Sequence, residues 1–543
     1  MIPRTLAAAL AALVLAAAPL AAQGADSLRR DAEAAHRRSD YPAAADAYIR
    51  LASMNGATAL DLYNAACSAA LAGRAPEALD LLHRALAAGF DAYDLLLERD
   101  PDLASLRGLP GWAGVEREAG GRREARERML ASLPNPARVF SEMGLAGYLA
   151  TYLELEAMEA AHPEAPAQWR GLLGELRGWT RAMVGDVRGA LDLEPGAPWR
   201  TPLPEDFDRY APAPAVPAIL EAARSTRLVM VNEAHHVPQG RVLTRELLRG
   251  LRDQGYRYLA VEALSRDAGE GLAARGHPVM ASGTYTREPV FGDLLREAVR
   301  LGYTLVPYDT FPVGCRPTAE DPNRCNSLRD SLAAENIVAR TFARDPRAKV
   351  LVHAGYSHVT EVPRPGGTKW LAYWLAGRGL DPLTVDQTVM RERGVAEAEA
   401  AEYRRAEELG WLDGPPVVLR RPDGGAYRSP AEGFGSVDLQ VFTPRTRDRE
   451  GRPDWLFTRA GRRPVPLRAT RGADGRTLAS LLRPDAGPQL VQAFAAGEGD
   501  DAVPVDQVVV RDADPAALAL RPGRYRVVVT RADGAERTTL TVR

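Results

Sequence analysis

Short apolar runs alternate with longer amphipathic stretches through the middle of the chain, and this alternation constrains the fold more than any other feature. The runs are Leu228–Asn232, Tyr258–Val261, Thr304–Tyr308, Lys349–Val352 and Leu383–Asp386. Helix-period stretches fit among them at Gly240–Gln254, Glu288–Leu301, Ser327–Ala343 and Trp370–Gly377. A chain patterned in this way is expected to build a mostly parallel sheet wrapped by helices.

In such a sheet, ligands bind beyond the carboxyl ends of the strands. The first run lies in LVMVNEAHHVPQGR and ends in Glu233, His235 and His236. The second ends in Glu262, the third in Tyr308 and Asp309, and the fifth in Asp386. The fourth, in KVLVHAGYSHV, delivers His353 and His358. The chain holds 8 histidines in all, so four at two strand exits is a concentration that helix capping does not explain. It points to a cleft with chemistry in it.

A carboxylate beside an imidazole makes a base and its orienter, able to activate water against an ester or amide. Several histidines with carboxylates also bind a divalent metal, and histidine ligates haem iron. The residue types permit all three. The catalytic candidates are Glu233, His236, Glu262 and His358, with His235 as the alternative base. Glu233 and Glu262 would orient the base, and His358 would polarise the substrate or complete the site. A metal would be held by His235, His236, Glu262 and His358. His235, His353 and Asp309 are the candidates for contact with a cofactor. The sequence has no Gly-x-Ser-x-Gly elbow, no His-Glu-x-x-His, no Cys-x-x-Cys and no Gly-x-Gly-x-x-Gly after a strand.

The flanks read differently. Residues 1–24 read as an export signal: Arg4 precedes an apolar run from Leu6 to Ala22, and Gln23, Gly24 and Ala25 offer cleavage positions. A periplasmic or secreted mature protein is the expectation. In residues 25–130, SDYPAAADAYIRLA aligns with GRAPEALDLLHRAL, with Tyr41 falling on Ala75 and Pro42 on Pro76. The period resembles the tetratricopeptide repeat, which implies stacked helix pairs and a concave face for a protein partner. Leu103, Leu106 and Trp112 would pack a degraded third unit. Residues 131–195 read as a helical pair, Ala137–Ala161 and Ala165–Leu191, with Gly185 interrupting the second. Residues 196–216 form a Pro-rich linker, and 217–395 the α/β domain. Residues 412–543, with strand runs and Asp-Gly turns, read as an antiparallel β domain of sandwich type. The chain is therefore expected to be multidomain: N-terminal helical repeats, a central α/β domain with a mostly parallel sheet, and a C-terminal antiparallel β domain.

Charge narrows the function classes. A formal net charge of -2 leaves no global basic field for nucleic acid. Lysine occurs only at Lys349 and Lys369, which rules out a phosphate loop ending in Gly-Lys-Ser/Thr. After the leader, no stretch reaches roughly 18 unbroken apolar residues, so stable membrane insertion is not expected. Cys315 and Cys325 flank a polar loop and are expected to be bonded in an oxidising compartment, whereas Cys67 reads as a small core residue.

The order VNEAHH, VEAL, GYSHV resembles the superfamily that joins erythromycin esterase-like, ChaN-like haem-binding and TraB/Tiki proteins. Their pattern is an early strand ending in Gly-Glu-x-x-His or Gly-Glu-x-His, a Glu ending the next strand, and a late Gly-x-x-His. Here Asn232 replaces the glycine. Glu233 with His236 fits the esterase-like spacing, and Glu233 with His235 the ChaN-like one. Glu262 matches the second-strand acid, and Gly355, Ser357, His358 and Val359 the late motif. SLRDSLAAENI resembles a ChaN-like helix through Arg329, Asp330 and Ile337. Esterase-like relatives imply an arginine near Arg245, which joins the candidates for contact with a cofactor. The resemblance spans roughly Pro217–Arg393. It implies a hydrolase acting on a small-molecule or peptide substrate, without a metal in the esterase-like branch and with one in the Tiki-like branch. The ChaN-like branch implies a haem or iron carrier instead. A third expectation is a partner-binding scaffold whose core is not catalytic.

Overall fold

The computed structural model describes residue 25 and residues 27–543, apart from 55–56, 94–95, 97, 99, 195, 317–322, 364–366, 431–435, 485 and 512–515. The export signal expected at 1–24 lies outside the described residues. The chain divides into two compact units, one ending at Leu133 and the other running from Pro134 to Arg543.

The first unit is helical, with helices Tyr41–Ala52, Ala59–Leu71, Ala75–Ala87 and Trp112–Ser132. Pro42 and Pro76 sit in the first turns of their helices, where the missing N–H costs nothing. Thr58 and Asp61 close a reciprocal capping box on the helix between them. Alanines at 45, 65, 66, 69, 78 and 85 let the helices approach closely, and Tyr48, Leu82, Leu103, Leu106 and Trp112 fill the core they leave.

The second unit is built on an eight-stranded sheet. Its strands are β1 (Ala211–Pro214), β2 (Leu228–Glu233), β3 (Tyr258–Val261), β4 (Thr304–Pro307), β5 (Val350–Gly355), β6 (Leu383–Asp386), β7 (Val417–Arg420) and β8 (Leu439–Phe442). The order is β1-β7-β8-β6-β2-β5-β3-β4. From β8 to β4 the pairing is parallel; β7 and β1 join antiparallel at one edge. Every residue of β2, β5 and β6 is buried, as helices on both faces of a parallel sheet require. One face packs on Leu243, Leu247 and Leu251 of the helix Gln239–Asp253 and on Phe291 and Leu294 of the helix Pro289–Arg300. The other packs on Ala333, Ala334 and Ile337 of the helix Arg324–Arg340 and on Leu371 and Leu375.

Two expected boundaries move. The runs around Val417–Arg420 and Leu439–Phe442 belong to the central sheet, not to a separate C-terminal domain, and β1 lies within the stretch expected to be a linker. Only the later strands form antiparallel sheets of their own: β11 (Arg463–Pro466) with β14 (Ala517–Leu520), and a four-stranded sheet of β12 (Gln489–Ala495), β13 (Asp506–Val510), β15 (Gly523–Arg531) and β16 (Gly534–Val542). A short ribbon of β9 (Asp448–Arg449) and β10 (Arg452–Pro453) precedes them. The hairpin at Ala532-Asp533-Gly534 joins β15 to β16. A buried pair, Arg452 with Asp506 at 2.9 Å, ties the ribbon to the four-stranded sheet, and Arg521 joins these strands to the α/β core by pairing with Asp293 at 2.6 Å.

The helical stretch after Pro134 also belongs to this unit. The break at Gly185 is present, with φ +80°. The helix expected at Ala137–Ala161 is also divided, at Glu142 and at Gly147, where φ is +88°, into Pro136–Ser141, Met143–Ala146 and Tyr148–Ala161. Among the described residues, no helix is long and apolar enough to cross a membrane.

Candidate functional site

The strand exits do converge at the carboxyl edge of the sheet, but as two charge clusters with one imidazole between them. The first is built on Glu233, the last residue of β2. It is 1% exposed and surrounded by donors. Arg241, in the first turn of the following helix and fully buried, gives Nε to Oε2 at 2.5 Å and Nη2 to Oε1 at 3.0 Å. His353 faces Oε2 through Nε2 at 3.2 Å, and His235 faces Oε1 through Nδ1 at 3.0 Å. Burial alone would raise the Glu233 carboxyl; Arg241, His235 and His353 outweigh it and hold it well below the ordinary range. Arg241 carries a second buried carboxylate, Glu288, at 2.9 Å.

A carboxylate that stays ionised can only accept hydrogen bonds, and this sets the imidazoles. His353 donates from Nε2, and its Nδ1 takes the Thr244 hydroxyl at 3.1 Å. Both of its nitrogens are used inside the protein. It also sits within β5, opposite Val231, because the ladder continues past Val352 to Gly355. His353 is thus an orienter of Glu233 and not a cofactor contact. His235 donates from Nδ1 to Glu233, and its Nε2 has no hydrogen-bond partner among the described residues. Its ring stacks on Tyr285 at 3.8 Å between centroids and meets Trp179 and Tyr356 edge-on. Gly355 passes close in front: a Cβ there would lie 2.7 Å from His235 Nε2 and 3.1 Å from Glu262 Oε2.

The second cluster is built on Glu262 beyond β3. Its Oε2 accepts the Gly355 N–H at 2.5 Å, and its Oε1 accepts Arg329 Nη2 at 2.7 Å. Arg329 also forks onto Asp309, with Nε at 2.8 Å and Nη2 at 2.6 Å. Asp309 is therefore a partner of Arg329, with both oxygens taken, and not a free cofactor contact. His358 lies between two carboxylates, Nδ1 on Asp330 at 2.7 Å and Nε2 by Glu262 at 3.4 Å. Burial pulls its pKa down, but Glu262 and Asp330 outweigh it and push it up to about 10. This favours the imidazolium at neutral pH, a cation held between Glu262 and Asp330.

That cation has a pH signature. The folded value of about 10 lies above the ordinary value of 6.5. The stability it contributes is fully present below about pH 6.5, declines above it, and is gone above the folded value. The wild type is expected to lose more denaturant resistance between pH 7 and pH 10 than His358→Gln does. Parallel loss in both proteins would count against the imidazolium.

His236 points elsewhere. Its Nδ1 meets the Tyr356 hydroxyl at 3.2 Å, and its Nε2 lies 3.4 Å from Glu194, too poorly aligned for a hydrogen bond. Burial lowers its pKa, and Arg391 and Arg393 lower it further against the pull of Glu194, so the ring is neutral. The four ligands expected for a metal do not converge. Among the described residues, no three of His235, His236, Glu262 and His358 bring ligand atoms within 4.8 Å of one another; the one group that does is Cys67, Asp100 and Asp102 in the first unit. Arg245 is also displaced from the site. Its Nε pairs with Asp293 at 3.1 Å, the carboxylate that the C-terminal Arg521 also binds. The arginine at the site is Arg241, one helical turn earlier.

Asn232, where the resemblance expects glycine, staples three strand exits. Its Nδ2 donates to Asp386 Oδ1 and to the Tyr356 carbonyl, both at 2.7 Å, and its Oδ1 accepts Gln387 N–H at 2.8 Å. Asp386 thereby serves the staple. Tyr356, the residue after β5, is held with φ +35°, in the region that side chains rarely adopt, and keeps 37% of its surface exposed. Backbone strain of this kind concentrates at functional sites. Cys315 and Cys325 are bonded, with Cα atoms 5.7 Å apart, beyond the exit of β4. Three cavities of about 540–610 Å³ in the same unit line the amino end of the sheet, the turn before β9 and the face of Phe494, away from these residues.

Fold and site together define an α/β protein with an imidazole poised on a buried carboxylate at the parallel sheet's carboxyl edge. No family model matches the chain, and no curated protein matches it. It is distantly similar to the type III effector HopBA1, at 15% identity over 33% of this chain and 86% of that one, with a TM-score of 0.24. It is similar in the same degree to RRSP, a MARTX toxin effector domain from Vibrio vulnificus CMCP6, at 13% identity over 46% and 55%, with a TM-score of 0.26. A structure described as bacterial protein toxins matches 68% of this chain and 90% of that one at 12% identity, with a TM-score of 0.27.

Proposed function

We propose that the second unit is an exported hydrolase in which His235 is the general base. One observation carries this reading. Of the four imidazoles at the strand exits, only His235 combines a nitrogen donated to a permanent carboxylate with an opposite nitrogen that has no hydrogen-bond partner among the described residues. Nε2 takes a proton from water as the water oxygen adds to the substrate carbonyl. The resulting imidazolium is stabilised by Glu233 and returns the proton to the departing alkoxide or amine as the carbonyl reforms. Arg241 and His353 hold Glu233 in place, and His358 with Arg329 keeps Glu262 ionised and fixed. The substrate class is an ester or amide of a small molecule or peptide. The leader-like residues 1–24 and the Cys315–Cys325 bond support an oxidising compartment outside the cytoplasm. The helical first unit fits a role in holding a protein partner.

The test pairs labelling with a hydrolysis screen. Diethyl pyrocarbonate is expected to modify His235 well ahead of His353 and His358, read by peptide mass spectrometry. A panel of esters, lactones and peptide amides is expected to yield an activity that His235→Gln lowers by about 10²–10⁴-fold. Activity untouched by His235→Gln, or labelling that spares His235, would defeat the assignment.

A further inference from the structure

Beside His235 the carboxyl edge carries a second, cation-rich half. Arg391 and Arg393 follow the exit of β6, and both close on one carboxylate, Glu194. Arg391 grips it as a fork, Nη2 to Oε1 at 2.6 Å and Nη1 to Oε2 at 2.9 Å. Arg393 Nη1 donates to the same Oε1. His236 Nε2 faces Oε2 at 3.4 Å, buried and without a hydrogen bond. Two guanidiniums and an imidazole thus surround the Glu194 carboxylate, and Asp386 is a further acid acting on Arg393. Burial and the adjacent Arg391 depress the pKa of Arg393, which is the mark of crowded cations.

The cradle does not depend on Glu194 for its shape. Arg391 also binds the Thr388 carbonyl through Nε at 3.2 Å and the Glu392 carbonyl through Nη1 at 2.9 Å. Arg393 Nη2 binds the Thr388 carbonyl at 2.9 Å. Glu194 comes from a different layer. It follows the short helix Val187–Asp192 and lies in no regular element. Tyr356 joins the cradle to the proposed base: its hydroxyl meets His236, its ring edge meets His235 at 5.0 Å between centroids, and it is the exposed residue between them.

We propose that Arg391, Arg393 and His236 form a carboxylate-binding subsite, that Glu194 is its internal occupant in this state, and that the substrate carries a free carboxylate which takes Glu194's place. The word substrate rests on the hydrolase reading above; the binding itself does not. A planar carboxylate reproduces the fork that Arg391 makes with Glu194, which a guanidinium matches with two parallel hydrogen bonds. Glu194 competes from within the same molecule, so its effective concentration is high and an outside carboxylate binds the wild type weakly.

Calorimetric titration of the full chain with succinate, at fixed pH and ionic strength, tests this. Glu194→Gln keeps the volume and removes the charge; it is expected to bind succinate at least about tenfold tighter than wild type. Adding Arg393→Met is expected to abolish that gain. A folded Glu194→Gln that binds no tighter overturns the proposal, as does tight binding that survives Arg393→Met. Inorganic phosphate bound more tightly than succinate overturns the carboxylate class. If Glu194→Gln does not fold, thermal melting of the wild type decides: succinate should raise Tm above a chloride control, Arg393→Met should remove the rise, and no rise refutes the subsite. His235→Gln separates the two readings. Succinate binding that persists there, with no hydrolysis found in any variant, keeps the subsite and sinks the hydrolase; hydrolysis of neutral esters alone, without succinate binding, does the reverse.

Discussion

Arg241→Met is expected to destabilise the second unit by about 3–5 kcal/mol, read as a shift in the denaturant midpoint. The guanidinium is fully buried between Glu233 and Glu288, which are 1% and 3% exposed. Taking it away leaves two carboxylates in an apolar setting with Phe291 beneath them. Methionine matches the volume, so the loss is electrostatic and not a cavity effect. Glu233 keeps only its imidazole donors, and Glu288 only the N–H groups of Val290 and Phe291. Neutralising both acids in the same chain, as Arg241→Met with Glu233→Gln and Glu288→Gln, is expected to recover much of the stability. A small effect of the single substitution, or no recovery in the triple, would show that the arginine is not the counter-charge of this cluster.

Gly355→Ala is expected to silence His235 while leaving most of the fold intact. The backbone of Gly355 is ordinary extended strand, with φ -84°, so alanine meets no conformational penalty there. Its methyl group does meet the imidazole, on Cε1 and on Nε2 at 2.7 Å, and the Glu262 oxygen at 3.1 Å. His235 is held behind by Tyr285 and Trp179, so it must tilt off Glu233. Overpacking of this kind typically costs about 1–3 kcal/mol. The loss of a positioned base costs about 10²–10⁴-fold in rate. Reaction of His235 with diethyl pyrocarbonate is the readout that needs no substrate. Labelling at the wild-type rate would mean that the ring tolerates the methyl group and that Gly355 does not shape the site.

The central sheet was legible because parallel strands buried on both faces leave short apolar runs that few other structures produce. Tyr258–Val261 and Leu383–Asp386 coincide with β3 and β6. The Glu and His residues at the exits were legible for the same reason, since polar groups directly after such runs stand at one edge. Their roles were not. His353 and His358 look alike in KVLVHAGYSHV, yet one bonds Glu233 and Thr244 from inside a strand and the other is a cation between two acids. Only the partners distinguish them, and the partners are Glu233, Asp330 and Glu262 on other elements. Arg241 lies in the same opening stretch as Glu233 and His235, but a helical arginine reads as solvated until Glu288 is seen opposite. Trp179 and Glu194 come from a layer whose sequence gives no hint of the sheet edge it covers. The edge strands failed for a related reason. β7 was read as antiparallel from its Asp-Gly turn and β1 as linker from its prolines, but which sheet receives them is decided by β8, and that choice is non-local.

The strand order also sets a timetable. β1 pairs only with β7, some two hundred residues later, and β8 is the bridge between β7 and β6. A nascent chain therefore holds an open edge at β6, with unpaired backbone groups, until Phe442 has been made. Contacts of such sequence separation close slowly. The window in which this protein is most exposed to misassembly thus lies between synthesis of β6 and arrival of β8.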